Sequence, residues 1–384
     1  MIFHLQSSKG ATEPKRQRFL AGRVQVISRS GLHPSEAVLL ELLPSLLPLA
    51  SADPRILTVG NRTGVLGQVA CDVLGGETTA QTFDIHHYRG MDPHILAGFR
   101  KRFFPRCTAD LPADATYDVA LFQLNRGNLS TELIHDMIQQ TVQRLRPGGR
   151  VACVIQGTSL WLMRRLQASF RNVQTSACGP DLTLLVATDL KGPGKPKSFQ
   201  CELQVTLPHG IAFPLVTYPG VFAHRKIDAG GLALAESLDV VAGDQVLDMG
   251  CGSGLIGIAA AKLAPLQQLV LVDSHARAIQ AATENVQANQ LSHLTTVLQS
   301  DGRAEDFAQY ADRFSLFVGN PPYYSQNQVT SRFVELSFQV LRRGGRAWFV
   351  TKNPEWLGQE IEQLFGEVQY FTRRQYTLLR AVKP

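Results

Sequence analysis

Apolar positions in the second half of the chain follow two alternating rhythms. Gln245 to Met249 is a short apolar run that predicts a strand, and Leu255 to Leu263 continues as an Ala- and Ile-rich helix. Leu269 to Val272 predicts the next strand, Arg277 to Asn289 a helix, and Phe314 to Val318 a buried strand. Phe333 to Leu341 reads as helix and Arg346 to Val350 as strand. Strands alternating with helices of this length predict an α/β domain with a doubly wound, mainly parallel sheet. Ahead of it, Phe199 to Leu207 alternates apolar with polar and turns at Pro208-His-Gly210. Ile211 to Thr217 then runs back extended, as in a hairpin.

The first half repeats this layout. Ile56-Leu-Thr-Val-Gly-Asn-Arg-Thr-Gly-Val-Leu-Gly67 lies over Val246-Leu-Asp-Met-Gly-Cys-Gly-Ser-Gly-Leu-Ile-Gly257 at an offset of 190. Phe83-Asp84 lies over Val272-Asp273 at 189, Tyr117 to Asn125 over Asp312 to Asn320 at 195, and Leu145 to Arg150 over Leu341 to Arg346 at 196. Four matches in one order, with offsets that barely drift, indicate an internal duplication. Lys191-Gly-Pro-Gly-Lys-Pro-Lys197 sustains neither helix nor ladder and reads as the linker. The expected organisation is a domain over 1–190, a linker over 191–198 and a second domain over 199–384.

Length agrees, since 384 residues exceed one ordinary core. With 44% hydrophobic and 18% charged residues the composition is that of a soluble globular protein. No apolar run reaches the roughly 18–20 residues needed to cross a bilayer. The polar and basic stretch from Met1 to Arg23 lacks a signal-peptide pattern, so a cytoplasmic protein is expected. Cys71, Cys107, Cys153, Cys178, Cys201 and Cys251 contain no C-x-x-C pair, which argues against structural zinc and for mostly buried reduced thiols. The net charge of +6 is concentrated at Lys9, Lys15, Arg16, Arg18 and Arg23, and again at Lys191, Lys195 and Lys197. Such clusters neutralise nucleic-acid phosphates, or are simply a solvated tail and linker.

Candidate chemistry sits at strand ends. Asp248-Met-Gly250-Cys-Gly252-Ser-Gly254 falls where strand passes into helix, and glycines there let a ligand touch bare backbone. The spacing is G-x-G-x-G, unlike the dinucleotide G-x-G-x-x-G, and an acid directly precedes it, so a ligand with an amino acid moiety is expected. Asp273 ends the second strand, where a carboxylate can take both ribose hydroxyls. Asp301 follows the third strand, where it can reach an adenine amine. Either acid alone reads equally well as a helix cap. In series with the glycine turn, the three resemble the class I S-adenosylmethionine-dependent methyltransferases.

Gly319-Asn320-Pro321-Pro322-Tyr323 follows the fourth strand. An amine conjugated to a ring is a poor nucleophile because its lone pair is delocalised. The Asn320 side-chain oxygen and the Pro321 carbonyl can accept its two N–H bonds and aim that lone pair at a methyl group. Pro321 and Pro322 preset those acceptors, and Tyr323 can stack on a flat ring. Positioning then carries the catalysis, with no metal or covalent intermediate required.

The whole layout resembles the ribosomal RNA guanine-N2 methyltransferases of the RsmC/RlmG type. Tyr218-Pro-Gly-Val-Phe222 with Asp228 and Gly230 is similar to the segment these enzymes carry before the cofactor turn. Asn320-Pro-Pro-Tyr323 fills their catalytic motif, with Tyr where many have Phe. The resemblance is specific from about Tyr218 onward and looser before. It implies two tandem Rossmann-like methyltransferase domains, the N-terminal one degenerate. In this sequence Arg62 stands where the second copy has Gly252, and Asn125-Arg-Gly127 replaces Asn320-Pro-Pro322. The implied activity is methylation of guanine N2 in ribosomal RNA with S-adenosylmethionine, leaning to the small subunit (16S), by a monomer without metal or membrane attachment. Adenine N6 in DNA, a protein glutamine amide, and a non-catalytic RNA-binding or assembly role remain alternatives. Trp348 reads as core, His86, His87 and His94 lack metal-ligand partners, and Arg373, Arg374 and Lys383 read as solvated terminal charges.

Overall fold

The computed structural model describes residues 1–5, 15–28, 31–91, 102–125, 129–192, 194–322 and 328–384. Lys9, His94, Arg126, Gly127, Pro193 and Tyr323, singled out above, lie outside them. The chain divides into two compact units, Met1–Ser198 and Phe199–Pro384.

The N-terminal unit opens with a three-stranded sheet in the order β1 (Ile2–His4), β3 (Val24–Ser28), β2 (Lys15–Phe19). The basic cluster is therefore no solvated tail. Lys15, Arg16 and Arg18 are exposed on an edge strand, while Phe19 on the same strand is buried. A seven-stranded sheet follows, built from β4 (Arg55–Val59), β5 (Glu77–Thr82), β6 (Phe103–Cys107), β7 (Tyr117–Leu124), β8 (Leu145–Gln156), β9 (Phe170–Gly179) and β10 (Leu182–Leu190). Its order is β6-β5-β4-β7-β8-β10-β9.

The C-terminal unit begins with the expected hairpin, β11 (Cys201–Thr206) against β12 (Ala212–Thr217). Its seven-stranded sheet comprises β13 (Gln245–Met249), β14 (Gln268–Asp273), β15 (Thr295–Gln299), β16 (Phe314–Gly319), β17 (Leu341–Thr351), β18 (Gln369–Arg373) and β19 (Tyr376–Val382). The order is β15-β14-β13-β16-β17-β19-β18, the same permutation as in the first unit. In both sheets only the last strand in sequence runs against its neighbours. The duplication read from four sequence matches is thus repeated in topology. β7 and β16 are buried along their whole length, as parallel strands covered on both faces must be.

Two boundaries differ from the sequence reading. The helix before β17 spans Gln328–Val340, and β17 starts at Leu341. Leu341 pairs with Phe314, the chain bulges through Gly344 (φ 74°), and pairing resumes at Arg346 with Leu316. The glycine pair is a bulge inside a strand, not a loop before one. The same irregularity recurs between Leu145 and Arg150. Three free cysteines, Cys71, Cys153 and Cys251, are buried, but Cys107, Cys178 and Cys201 are part-exposed. Trp348 is core at 4% exposure. Lys383 is not solvated: its ammonium donates to Asp312 and to the carbonyls of Phe338 and Leu341. Arg373 and Arg374 both bind Glu236. No described helix is long and apolar enough to cross a membrane.

Candidate active site

Strand order reverses between β13 and β16, and in open α/β sheets that reversal opens a crevice beyond the strand ends. Register fixes what borders it. Met249 pairs with Val272 and with Gly319, so Gly250, Asp273 and Asn320 leave neighbouring strands at one level. Adjacent strands lie about 4.8 Å apart, which makes this row a compact surface.

The turn after β13 passes through Gly250 (φ 72°), Gly252 (φ 57°) and Gly254 (φ 86°). A Cβ on Gly252 would meet nothing within 4 Å, so its backbone faces open space. The left-handed conformation and the need for close approach both call for glycine there. The Gly252 N–H donates to Asp273 Oδ2 at 2.9 Å, and Asp273 Oδ1 accepts the His275 N–H at 2.9 Å. Asp273 therefore braces the turn and also holds the backbone of His275, the N-cap of the helix Ala276–Ala288.

Asp248 stands differently from expectation. It is fully buried, beneath the turn, and its Oδ2 accepts the Gly257 N–H at 2.8 Å. Burial, opposed by that N–H and reinforced by the Asp273 charge, pushes its pKa up to about 7. Oδ1 is buried without a hydrogen-bond partner among the described residues. The open Gly252 backbone beside the Asp273 carboxylate fits a polar ligand. The Asp301 side chain is 4% exposed and paired with Arg303 Nε at 3.2 Å.

Asn320, Pro321 and Pro322 leave β16 together, with Pro321 buried. Asn320 Nδ2 donates to Asp228 Oδ2 at 2.8 Å. That same oxygen accepts the Gly231 N–H at 2.6 Å, because Asp228 is the N-cap of the helix Ala229–Ala235. Sequence reasoning places Asp228 in a family-like segment but assigns it no role, and it misses Asn285 outright. Fully buried, Asn285 accepts the Val216 N–H and donates to the carbonyls of Val216 and Ser253, tying β12 to the glycine turn. A polar residue on the apolar side of the helical spacing is its only signal.

The N-terminal unit holds the counterpart of this site, with two glycine positions taken by side chains. Gly60 (φ 80°) and Gly64 (φ 81°) keep the turn, but Arg62 occupies the position of Gly252 and feels the charge of Asp84. Counted from the N-caps His33 and Asp228, Glu36 corresponds to Gly231. Glu36 is buried and accepts from the Thr63 hydroxyl at 2.6 Å and the Leu66 N–H at 3.2 Å. Its carboxyl thus sits on the N-terminus of the helix Val65–Leu74, where an anionic ligand group would otherwise bind.

A family model for the methyltransferase small domain matches residues 212–380. Ribosomal RNA small subunit methyltransferase C of Shewanella amazonensis is 27% identical over 325 residues, spanning 80% of this chain and 90% of that one. Ribosomal RNA large subunit methyltransferase G of Stutzerimonas stutzeri is 26% identical over 350 residues, 88% of each chain. The structure of a T. thermophilus 16S rRNA N2 methyltransferase in complex with AdoMet and guanosine is 20% identical, with a TM-score of 0.72. It covers 96% of this chain and is itself covered to 98%. At that identity the likeness establishes the fold, two tandem Rossmann-like units.

Proposed function

We propose that this chain, which belongs to the RsmC/RlmG family of ribosomal RNA methyltransferases, methylates the exocyclic N2 of a guanine in ribosomal RNA with S-adenosylmethionine. The observation that carries this reading is the shared level of Gly250, Asp273 and Asn320 at one sheet crevice. A cofactor cradle and a pair of amine acceptors stand side by side there.

The open backbone at Gly252 and the Asp273 carboxylate hold the cofactor, with Asp248 bracing the turn from below. S-adenosylmethionine supplies an electrophilic methyl on a sulfonium. Asn320 Oδ1 and the Pro321 carbonyl accept the two N2 protons of guanine and turn the nitrogen lone pair toward the donor side. Acceptors fixed in advance by a rigid Pro-Pro backbone need no rearrangement as the amine gains positive character. Asp301 lies against the adenine, and Tyr323 completes the motif by stacking on the guanine. Contacts that strengthen as the amine attacks convert binding energy into rate.

The N-terminal unit, with Glu36 on the helix N-terminus and Arg62 at the glycine position, binds no cofactor and contributes RNA affinity instead. The protein acts in the cytoplasm as a monomer on ribosomal RNA or a ribosomal subunit. Small-subunit RNA is the first substrate to test, since the structural likeness spanning the whole chain is to a 16S enzyme. Purified protein given labelled S-adenosylmethionine and unmodified ribosomal RNA should yield N2-methylguanosine on nucleoside analysis. Label in N6-methyladenosine, or none in RNA, would overturn this assignment.

A further inference from the structure

We propose that Asp228 is a positioning residue that fixes which end of the Asn320 amide faces the substrate. The inference rests on the reading of Asn320 as the substrate's acceptor and adds the device that keeps it an acceptor. An asparagine amide carries an oxygen acceptor and an NH2 donor on one carbon, nearly equal in shape, and either can turn toward a neighbour. Only one of the two can serve an incoming amine.

An ionised carboxylate accepts and cannot donate. With Asp228 Oδ2 at 2.8 Å, the end of Asn320 turned toward it must be Nδ2. Reversal would set Oδ1 against the carboxylate, replacing a charge-assisted bond with two facing acceptors. Asp228 is itself pinned: the Gly231 N–H donates to the same oxygen at 2.6 Å, and the residue is held as a helix N-cap at φ −66°, ψ 120°. A side chain at position 231 would crowd this arrangement, because a Cβ on Gly231 would lie 3.1 Å from Asp228 Oδ2. The chain of constraint therefore runs from helix backbone to carboxylate to amide, and leaves Oδ1 directed away from Asp228.

The N-terminal unit is an internal control. Asn125 occupies the Asn320 position at the end of the equivalent strand, and the residue facing it is Ser35, from the helix Pro34–Leu42. Ser35 Oγ accepts from Gln123 Nε2 at 3.0 Å and donates to Asn125 Oδ1 at 2.5 Å. The amide turns its oxygen, not its NH2, toward this neighbour, a hydroxyl that also lies 2.8 Å from His33 Nδ1. The one side chain of the motif that both units retain is thus set by its neighbour to accept in one and to be satisfied internally in the other.

The test is a double-mutant cycle on the full-length protein, read by single-turnover methyl transfer to ribosomal RNA. Asp228→Ser keeps a capping oxygen for the Gly231 N–H but adds a hydroxyl donor that can turn to Asn320 Oδ1, so the lock is lost. The single-turnover rate should fall about 10- to 100-fold while cofactor Kd, RNA KM and Tm stay near wild type. In an Asn320→Ala background the same change should cost less than about twofold, because there is no amide left to orient. Asp228→Asn, whose amide oxygen caps the Gly231 N–H from the position of Oδ2 and so still accepts from Asn320, should restore most of the rate lost in Asp228→Ser. An unchanged rate for Asp228→Ser would overturn the proposal. So would equal losses in both backgrounds, or a loss that tracks cofactor affinity, since either marks a purely structural cap. Full activity in Asn320→Ala alone would instead sink the catalytic reading of Asn320.

Discussion

Gly252 donates its backbone N–H to Asp273 Oδ2 at 2.9 Å, joining the most open glycine of the turn to the acid at the end of the next strand. The bond holds the turn in the shape a ligand would meet and places a carboxylate beside it. Asp273→Ala removes that brace together with the proposed ribose contacts. Cofactor affinity should fall by about 1–3 kcal/mol, the usual loss for hydrogen bonds to a charged group. Calorimetry showing unchanged affinity would contradict this placement of the ribose.

Asp248 makes a pH-dependent prediction. Its folded pKa, pushed up to about 7, lies above the ordinary value of 3.8, so the folded protein holds a proton that the unfolded chain has lost. Stability linked to this group is therefore greatest at low pH and declines as pH rises from about 4 to about 7. Asp248→Asn keeps an acceptor for the Gly257 N–H and removes the buried charge. Its Tm relative to wild type should rise on going from pH 5 to pH 8 in cofactor-free protein. A Tm difference that is flat with pH would show that burial does not shift this acid.

Binding should be confined to one site per chain. In the N-terminal unit Arg62 stands at the glycine position and Glu36 covers the helix N-terminus through Leu66. Titration calorimetry should give one S-adenosylmethionine per chain. Arg62→Gly should leave that number unchanged, because Glu36 still occupies the anion position. A second site in wild type would refute this block, and a second site in Arg62→Gly would show that Glu36 alone does not supply it.

Edge strand β2 offers Lys15, Arg16 and Arg18 to solvent from an ordered sheet. If these cations meet RNA phosphates, replacing all three by alanine should weaken RNA binding. It should also lower the slope of log affinity against log salt by about two to three. Cofactor affinity should not move. An unchanged salt slope would place the RNA elsewhere.

Much of the fold is legible in the sequence because the signals are local. Alternating strands and helices, the hairpin around Pro208, and the G-x-G-x-G turn each follow from residues adjacent in the chain. The duplication is legible because the same local signals occur twice. What stays hidden depends on contacts across long separations. Asp228 meets Asn320 over 92 positions, and Asn285 meets Val216 over 69. Neither pairing leaves a periodic trace. The place of Asp248 just before the turn suggests an acid facing the ligand, but strand alternation points it beneath, toward Gly257. β18 and β19 carry little strand signal, since an edge pair with an exposed outer strand lacks the continuous apolar run of a central one.

Asn320 stands at the centre of the proposed chemistry, as the residue that orients guanine N2 for methylation, and one measurement tests that role most directly. Ribosomal RNA from cells lacking the gene, complemented with wild type or with Asn320→Ala, can be mapped for N2-methylguanosine by mass spectrometry of its fragments. Wild type should restore that modification at a defined guanine. Asn320→Ala should fail to restore it, while the purified variant still binds S-adenosylmethionine with near wild-type affinity, as expected when an interaction acts chiefly in the transition state. A guanine N2 methylated to the same extent with Asn320→Ala, or no N2-methylguanosine lost when the gene is absent, would contradict it.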